Sequence, residues 1–582
     1  MLLTSNGSLL ENGGLAKVLR FFGVGWRPMT VAEFLSYKNM NQESSASIRI
    51  FCSSNTLLVL AGELKRNGRE MLRWQEDVHS VFVYAGDDPA ILRRLIRILT
   101  GEDAAVVSKL NRGIRDFAVS DEFNEFCGVM AGVRVAASKE DVEAGLLLHT
   151  SKAGVLNIIS SDQGATFLKL EYNRVPVFLS TCRNIIDIDA QLTTQNFDVR
   201  DHFLSAVPVV LYIKWAFAGT CWTAPETNAC LIIDDPVLKS THGFVNFEEL
   251  LSLMKRHKFS TNIAFIPWNW RRSTPKVVRL LRENPQNYSV SVHGCDHTRA
   301  EFGSLDRQRL YWKAQQALER MKRHESITGI RHDRVMVFPQ GIFSEAAMSV
   351  LKHTDLIAVV NNDVICAGPH PCAIAISDVW DIAVMRYSNF PIFTRRYPWE
   401  GIENFAFDTL LGKPAIAVIH HDYCSDHCAR LVNFIERLNA LQCAPTWRNL
   451  GDVVRRTCRQ REVSPGAVEV EMYGTELRIE NRSHEPKHFL IRRRECEPSA
   501  IDQISTGAQE IAWRAVDGRI DFEIELHPGE NRVIKIKFHN LAGKGHNGDN
   551  LPYRLKTMLR RYLCEVRDNY VAPLRCRFAG SR

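Results

Sequence analysis

Short continuous apolar runs alternate with longer stretches of helical period through residues 226–460. The runs are Ala229–Ile233, Asn262–Ile266, Tyr288–Val292, Arg334–Phe338, Leu356–Val360, Ile382–Met385 and Ala415–Ile419. Amphipathic stretches such as Phe247–His257, Leu305–His324 and Asp426–Leu441 lie between them. A strand that is apolar at every position is buried on both faces, and a helix between strands returns the chain for parallel pairing. Seven such runs predict an α/β domain whose parallel sheet is a closed or nearly closed barrel.

The flanks read differently. Residues 1–200 mix strand runs (Ile48–Cys52, Ser80–Tyr84, Val155–Ile159, Val175–Leu179) with an amphipathic helix from Pro89 to Thr100, which predicts an N-terminal α/β domain of unassigned role. The most apolar stretch, Val207–Gly219, is shorter than the ~20 residues a membrane span needs and carries Lys214. A buried or interfacial helix is expected there. Residues 466–540 alternate strictly, as in Ile520–Leu526 and Val533–Phe538 on either side of the Pro528-Gly529 turn, and predict a small antiparallel β module. A linker is placed at about 461–466 and a joint at 543–550. Residues 551–582 form a basic amphipathic C-terminal tail, apolar at Leu551, Leu555, Leu559 and Leu563, with Arg554, Lys556 and Arg561 around that stripe. Docking of the stripe on the body is the plainer expectation. Peripheral membrane contact, with anionic lipid, is the sharper one.

Composition narrows the class. The chain of 582 residues is 45% hydrophobic and 24% charged, as in globular proteins, and its net charge of +7 is mild for the length. That balance gives no reason to expect a nucleic-acid partner. The 15 cysteines are scattered without a framework and read as reduced thiols in the core. The N-terminus lacks the basic-then-apolar order of a signal peptide, so a cytoplasmic protein is expected, with membrane association left to the tail.

The chemistry lies where apolar runs end. Asp234-Asp235 follows the first run, His293-Gly-Cys-Asp-His297 the third, Pro339-Gln-Gly341 the fourth and His420-His421-Asp422 the last. In a parallel barrel these ends form one rim, where ligands bind. Each signal alone has an ordinary reading: a helix cap for the aspartates, hydrogen-bonded loop residues for the histidines. Together they converge carboxylates and imidazoles from separate segments, which is what a divalent metal requires. In the loop after the second run, Trp268 and Trp270 are of a type to stack on sugar rings and Arg271 to meet an anion, or the loop is a lid anchored by one tryptophan.

The ordered set Asp234-Asp235, His293-x-x-x-His297, Phe338-Pro-Gln-Gly341 and His420-His421-Asp422 resembles the polysaccharide deacetylase (NodB-type carbohydrate esterase) family, over about residues 226–460. The resemblance implies a distorted (β/α)7-type barrel and a metal-dependent hydrolase that removes an acyl group, acetyl by expectation, from an N-acetylated sugar or glycan precursor. It implies Asp234 as general base, Asp235, His293 and His297 as ligands of a divalent metal (Zn2+ being the expected ion), and His421 or His420 as general acid. The substrate would be a carbohydrate or other amide, including an anionic or lipid-linked one. The family's third motif carries an arginine that orients the base; Val337 and Phe338 stand there, and Arg386, after another predicted strand, is the candidate replacement. Another metal-dependent C–N amide hydrolase, or a catalytically degenerate carbohydrate-binding or assembly protein, is the alternative on the same scaffold.

Overall fold

The computed structural model describes the chain except residues 5–12, 41–47, 67–77, 87, 102–105, 111–112, 150–153, 369–370, 542–548 and 573–582. Most of the expected joint at 543–550, and the end of the tail, lie outside the described residues. Two compact units are present. One comprises Met1–Ala190, Asp198–Trp222 and Leu441–Cys443; the other comprises Gln191–Phe197, Thr223–Ala440 and Ala444–Arg582.

The first unit is built on a sheet of 11 strands. Leu2–Thr4, Pro28–Thr30, Ile48–Ser53, Val78–Tyr84 and Val175–Ser180 run parallel, and Gly164–Tyr172 and Leu156–Ser161 continue the sheet antiparallel. The predicted helix Pro89–Thr100 is present, capped by the Asp88 carboxylate and by Gly101 in left-handed conformation. The apolar stretch near residue 210 forms the helix Phe203–Ala216, buried on nearly every side, and Tyr212 Oη lies 2.8 Å from Ser80 Oγ in this unit's core. A helix that is apolar all round has nowhere to go but a core, so the buried expectation holds.

The second unit contains seven parallel strands in one curled sheet, with the two-residue Thr446–Trp447 strand paired on Asn228–Asp234. They are β1 (Asn228–Asp234), β2 (Thr261–Phe265), β3 (Tyr288–His293), β4 (Asp333–Val337), β5 (Ala358–Asn361), β6 (Ile392–Thr394) and β7 (Ala415–Ile419). β1 pairs with both β2 and β7, and the sheet runs on through β3, β4 and β5 to β6. Only one bridge spans the remaining gap: Arg396 N–H donates to Ile416 O (2.9 Å) and Val418 N–H donates to Arg396 O (2.9 Å). The helices α1 (Phe247–His257), α2 (Pro275–Glu283), α3 (Arg307–Thr328), α4 (Glu345–Leu351), α5 (Ile402–Leu411) and α6 (Ala429–Asn439) lie between or after these strands. Inside the curl, Cys230, Ile232, Val335, Val337, Phe393 and Val418 share one apolar cluster.

One predicted strand is corrected. Residues 382–385 form bends and a single antiparallel bridge from Val384 to Ile392; the sixth strand is Ile392–Thr394. Both segments are buried and apolar, so pattern alone could not choose between them.

After the barrel, a five-stranded and a four-stranded sheet enclose a common core with Val470, Ile491, Ile504, Ile520 and Ile534. Pairing is mainly antiparallel, but Ala467–Glu471 runs parallel to Lys487–Arg494. Buried ion pairs tie these strands to the barrel: Lys352 to Glu495 at 2.6 Å and Arg459 to Asp381 at 3.2 Å. The chain then forms α7 (Leu551–Val566), extended by a wider turn to Val571. Among the described residues no helix is long and apolar enough to cross a membrane, and no cysteine is in a disulfide.

Candidate metal centre and its surroundings

Strand alternation aims the first aspartate. Cys230 and Ile232 of β1 point into the core cluster, so Asp234, two residues on, points the same way at the strand's end. Phe393 of β6 is in that cluster too, which brings Arg395 to the same interior. The Arg395 guanidinium grips Asp234 with both prongs, Nη1 to Oδ1 at 2.7 Å and Nη2 to Oδ2 at 2.8 Å, and its Nε donates to Asn362 Oδ1 at 2.8 Å. Burial raises the Asp234 pKa, but Arg395 and His293 outweigh it and hold the carboxyl below its ordinary value. Arg395, not Arg386, is the arginine that holds Asp234. Arg386 is exposed and is drawn instead toward Cys372 and Asp378, so its proposed role is withdrawn. The error follows from the misplaced sixth strand; an arginine just after Ile392–Thr394 was the available signal.

At Asp235 the backbone turns to a φ of +71°, which carries this carboxylate away from its neighbour's direction. Asp235 Oδ1 lies 2.9 Å from His293 Nε2 and 2.9 Å from His297 Nε2. His293 ends β3, with Nδ1 3.0 Å from Val337 O of β4. His297 has a φ of +55° in the following loop, which is pinned by Glu301: its carboxylate accepts from the backbone N–H groups of Cys295 (2.9 Å), Asp296 (2.9 Å) and His297 (3.1 Å). Gly294 in this loop has a φ of +60°, and a Cβ there would lie 2.4 Å from Pro339 Cγ, so the close approach of strand ends β3 and β4 requires glycine.

These donors fit a divalent cation. The Val337 carbonyl can only accept, so the proton of a neutral His293 sits on Nδ1 and leaves a lone pair on Nε2. That lone pair faces a carboxylate oxygen at 2.9 Å, so a proton or a metal cation is shared between them: burial lowers the His293 pKa, but Asp234 and Asp235 prevail and raise it, and the same two carboxylates draw a cation to this point. One carboxylate and two imidazoles are a donor set suited to Zn2+ or a similar ion, with room for a further ligand. Among the described residues one other group has comparable proximity, Cys295, Asp296 and Glu301. There Asp296 is already paired with Lys313 and with Arg320, the latter at 2.6 Å, and both oxygens of Glu301 are occupied by backbone N–H groups.

The two histidines after β7 diverge. His420 lies by Tyr397, with ring centroids 6.4 Å apart, on the side of the rim that carries Asp234. His421 packs against His242 (5.5 Å) and Phe244 (6.0 Å), and its Nε2 lies 3.5 Å from Asp568 Oδ1. A Cβ on Gly243 would come within 2.3 Å of His421 Nδ1, so this ring fills the space a side chain would take. Burial and the neighbouring His421 press the His242 pKa down to about 4, which makes His242 a neutral imidazole near pH 7. Asp568 is pushed up by burial, but hydrogen bonds from His421 and Arg567 prevail and hold it at about 2.

The tail brings further residues to this rim, through its polar face and not the apolar stripe expected to dock. Glu565 of α7 pairs with both Lys239 and Arg272, Asn569 Oδ1 accepts from Gly243 N–H at 2.7 Å, and Tyr553 Oη lies 3.0 Å from Asp296 Oδ2. Arg561 is buried and sits in the field of Asp235. Asp296, between the two histidines, turns to Lys313, Arg320 and Tyr553. Trp268 meets Tyr562 of α7 edge to face at 6.2 Å, whereas Trp270 is covered by Arg271 (4.2 Å) and Arg323 (5.7 Å). Trp268 therefore belongs to the rim, while Trp270 and Arg271 occupy each other on the side toward α3.

No family model matches the sequence, and no curated protein matches it either. Several solved structures are similar over two fifths of the chain. The peptidoglycan deacetylase PdaC from Bacillus subtilis is 15% identical, covers 40% of this chain and 92% of its own, and gives a TM-score of 0.24. A family 4 carbohydrate esterase from Streptomyces lividans, in complex with acetate, is 12% identical over 39% of this chain and 93% of its own, with a TM-score of 0.24. BA3943, a CE4 family pseudoenzyme from Bacillus anthracis, is 11% identical over 38% of this chain and 67% of its own, with a TM-score of 0.24. Deacetylases and a pseudoenzyme thus stand side by side among the similar structures.

Proposed function

We propose that the protein is a metal-dependent amide hydrolase that removes an acyl group from an N-acylated sugar. The carrying observation is the meeting of Asp235 Oδ1 with the Nε2 atoms of His293 and His297, beside a second carboxylate held apart by Arg395. The sugar and the acetyl group come from the sequence resemblance; the site chemistry comes from the side chains.

When bound at Asp235, His293 and His297, a divalent cation supplies Lewis acidity and raises the acidity of water. Asp234 accepts the proton of the attacking water. Arg395 keeps its carboxylate ionised and fixes the direction in which it can receive that proton. An amine leaves poorly as an anion, so a proton must reach the amide nitrogen as the C–N bond breaks. His421, 3.5 Å from Asp568, is proposed as that acid, with His420 on the Asp234 side as the comparison.

The test pairs metal analysis with acetate release from N-acetyl sugars. Asp234→Asn retains metal and loses turnover, whereas His297→Ala loses metal as well. Full metal content in His297→Ala, or acetate release that survives complete removal of metal by a chelator, refutes the assignment.

A further inference from the structure

The tail helix is docked the opposite way round from an ordinary amphipathic helix. Its buried positions are Thr557, Arg561 and Glu565, followed by Asp568, and all four are polar. Its apolar stripe faces away from the protein: Leu551, Leu555, Leu559, Leu563, Val566 and Tyr570 are exposed, Leu559 at 60% and Leu563 at 58%. Of the sixteen exposed large hydrophobic side chains among the described residues, nine lie between Leu551 and Val571. Such concentration on one face marks an interaction site rather than the usual scatter.

Charge says what the face meets. The acids of the segment, Glu565 and Asp568, are turned inward and consumed by Lys239 and Arg272 and by Arg567 and His421. The exposed charged residues of the helix are Arg554 and Lys556, both cationic; Arg567, just past its end, pairs with Asp568 at 2.6 Å. An apolar ridge flanked only by cations is complementary to a surface with an apolar interior and anionic head groups.

We propose that the outward face of α7 is a docking surface for an anionic lipid bilayer. The same helix is held by its polar face to the rim carrying Lys239, Arg272, Gly243 and His421, so docking sets the metal centre beside the head-group layer. Resting on the hydrolase reading, this places the acyl amide on a substrate anchored at that surface, not on a freely diffusing polymer.

The test reads lipid binding without substrate, so its failure is separate from failure of the hydrolase reading. The full chain is sedimented with vesicles of phosphatidylcholine alone and with vesicles carrying 30% phosphatidylserine. Binding is expected to the second and to be weak with the first. Leu559→Ser with Leu563→Ser is expected to weaken it at least tenfold, and Arg554→Gln or Lys556→Gln by about fivefold each. These side chains are solvent-exposed, and an unchanged melting temperature confirms that the variants are folded. Two results overturn the proposal: no difference between the vesicle types, or anionic binding that the outward-face substitutions leave intact. A concentration-dependent dimer that those substitutions dissolve, without vesicle binding, assigns the face to a second copy instead.

Discussion

Removing the Arg395 guanidinium leaves the Asp234 carboxylate buried without its cation. Arg395 is 2% exposed and Asp234 4%, so water cannot replace the lost contacts. Two charge-assisted hydrogen bonds at 2.7 and 2.8 Å are lost together. At about 1.5–3 kcal/mol each they set a loss of roughly 3–6 kcal/mol, in line with the ~3–5 kcal/mol typical of breaking one side of a buried ion pair. Arg395→Leu is therefore expected to lower stability by about 4 kcal/mol in chemical denaturation at fixed metal content. The double variant Arg395→Leu with Asp234→Asn contains no unpaired buried charge and should cost less than the sum of the single changes by about 2 kcal/mol. Arg395→Lys keeps the charge but not the fork, so Asp234 is held at one point and turnover should fall by about 10²-fold. Additivity of the two changes within about 0.5 kcal/mol, or wild-type turnover in Arg395→Lys, refutes the claim that this pair sets the base.

Two further outcomes follow from the geometry. His421→Ala should reduce turnover by about 10²-fold or more, with metal content unchanged, while His420→Ala has the smaller effect; the reverse order in steady-state assays moves the acid to the Asp234 side. His324 is buried against Phe265, with Nε2 2.9 Å from Ser273 Oγ, and burial and the nearby His332 lower its pKa to about 4. Between its ordinary pKa near 6.5 and 4, the unfolded chain takes up a proton that the folded chain does not, so stability falls as pH falls through that window. From pH 7 to pH 5 the loss is about 2 kcal/mol from this residue; His324→Gln should remove that part of the pH dependence of denaturation, and an unchanged profile refutes it.

Local pattern carried much of the barrel. Continuous burial writes strands such as Ala415–Ile419 directly into the sequence, and the acids and imidazoles that interrupt those runs mark the strand ends, which is why Asp234, Asp235, His293 and His297 were legible before any coordinates. The failures have a common form. Residues 382–385 and 392–394 are equally apolar, and only pairing with β5 selects the second. Once that choice is made, alternation carries Arg395 to Asp234, 161 residues away in the chain; no local property of either residue encodes the contact. The tail shows the same limit from the other side. Its sequence determined an amphipathic helix with an apolar stripe, since side-chain spacing alone fixes which residues share a face. Which face turns inward was decided by the barrel rim, where Lys239, Arg272 and His421 meet Glu565 and Asp568. Ionic contacts between distant segments exist only after folding, so the sequence supplied the two faces and the tertiary structure chose between them.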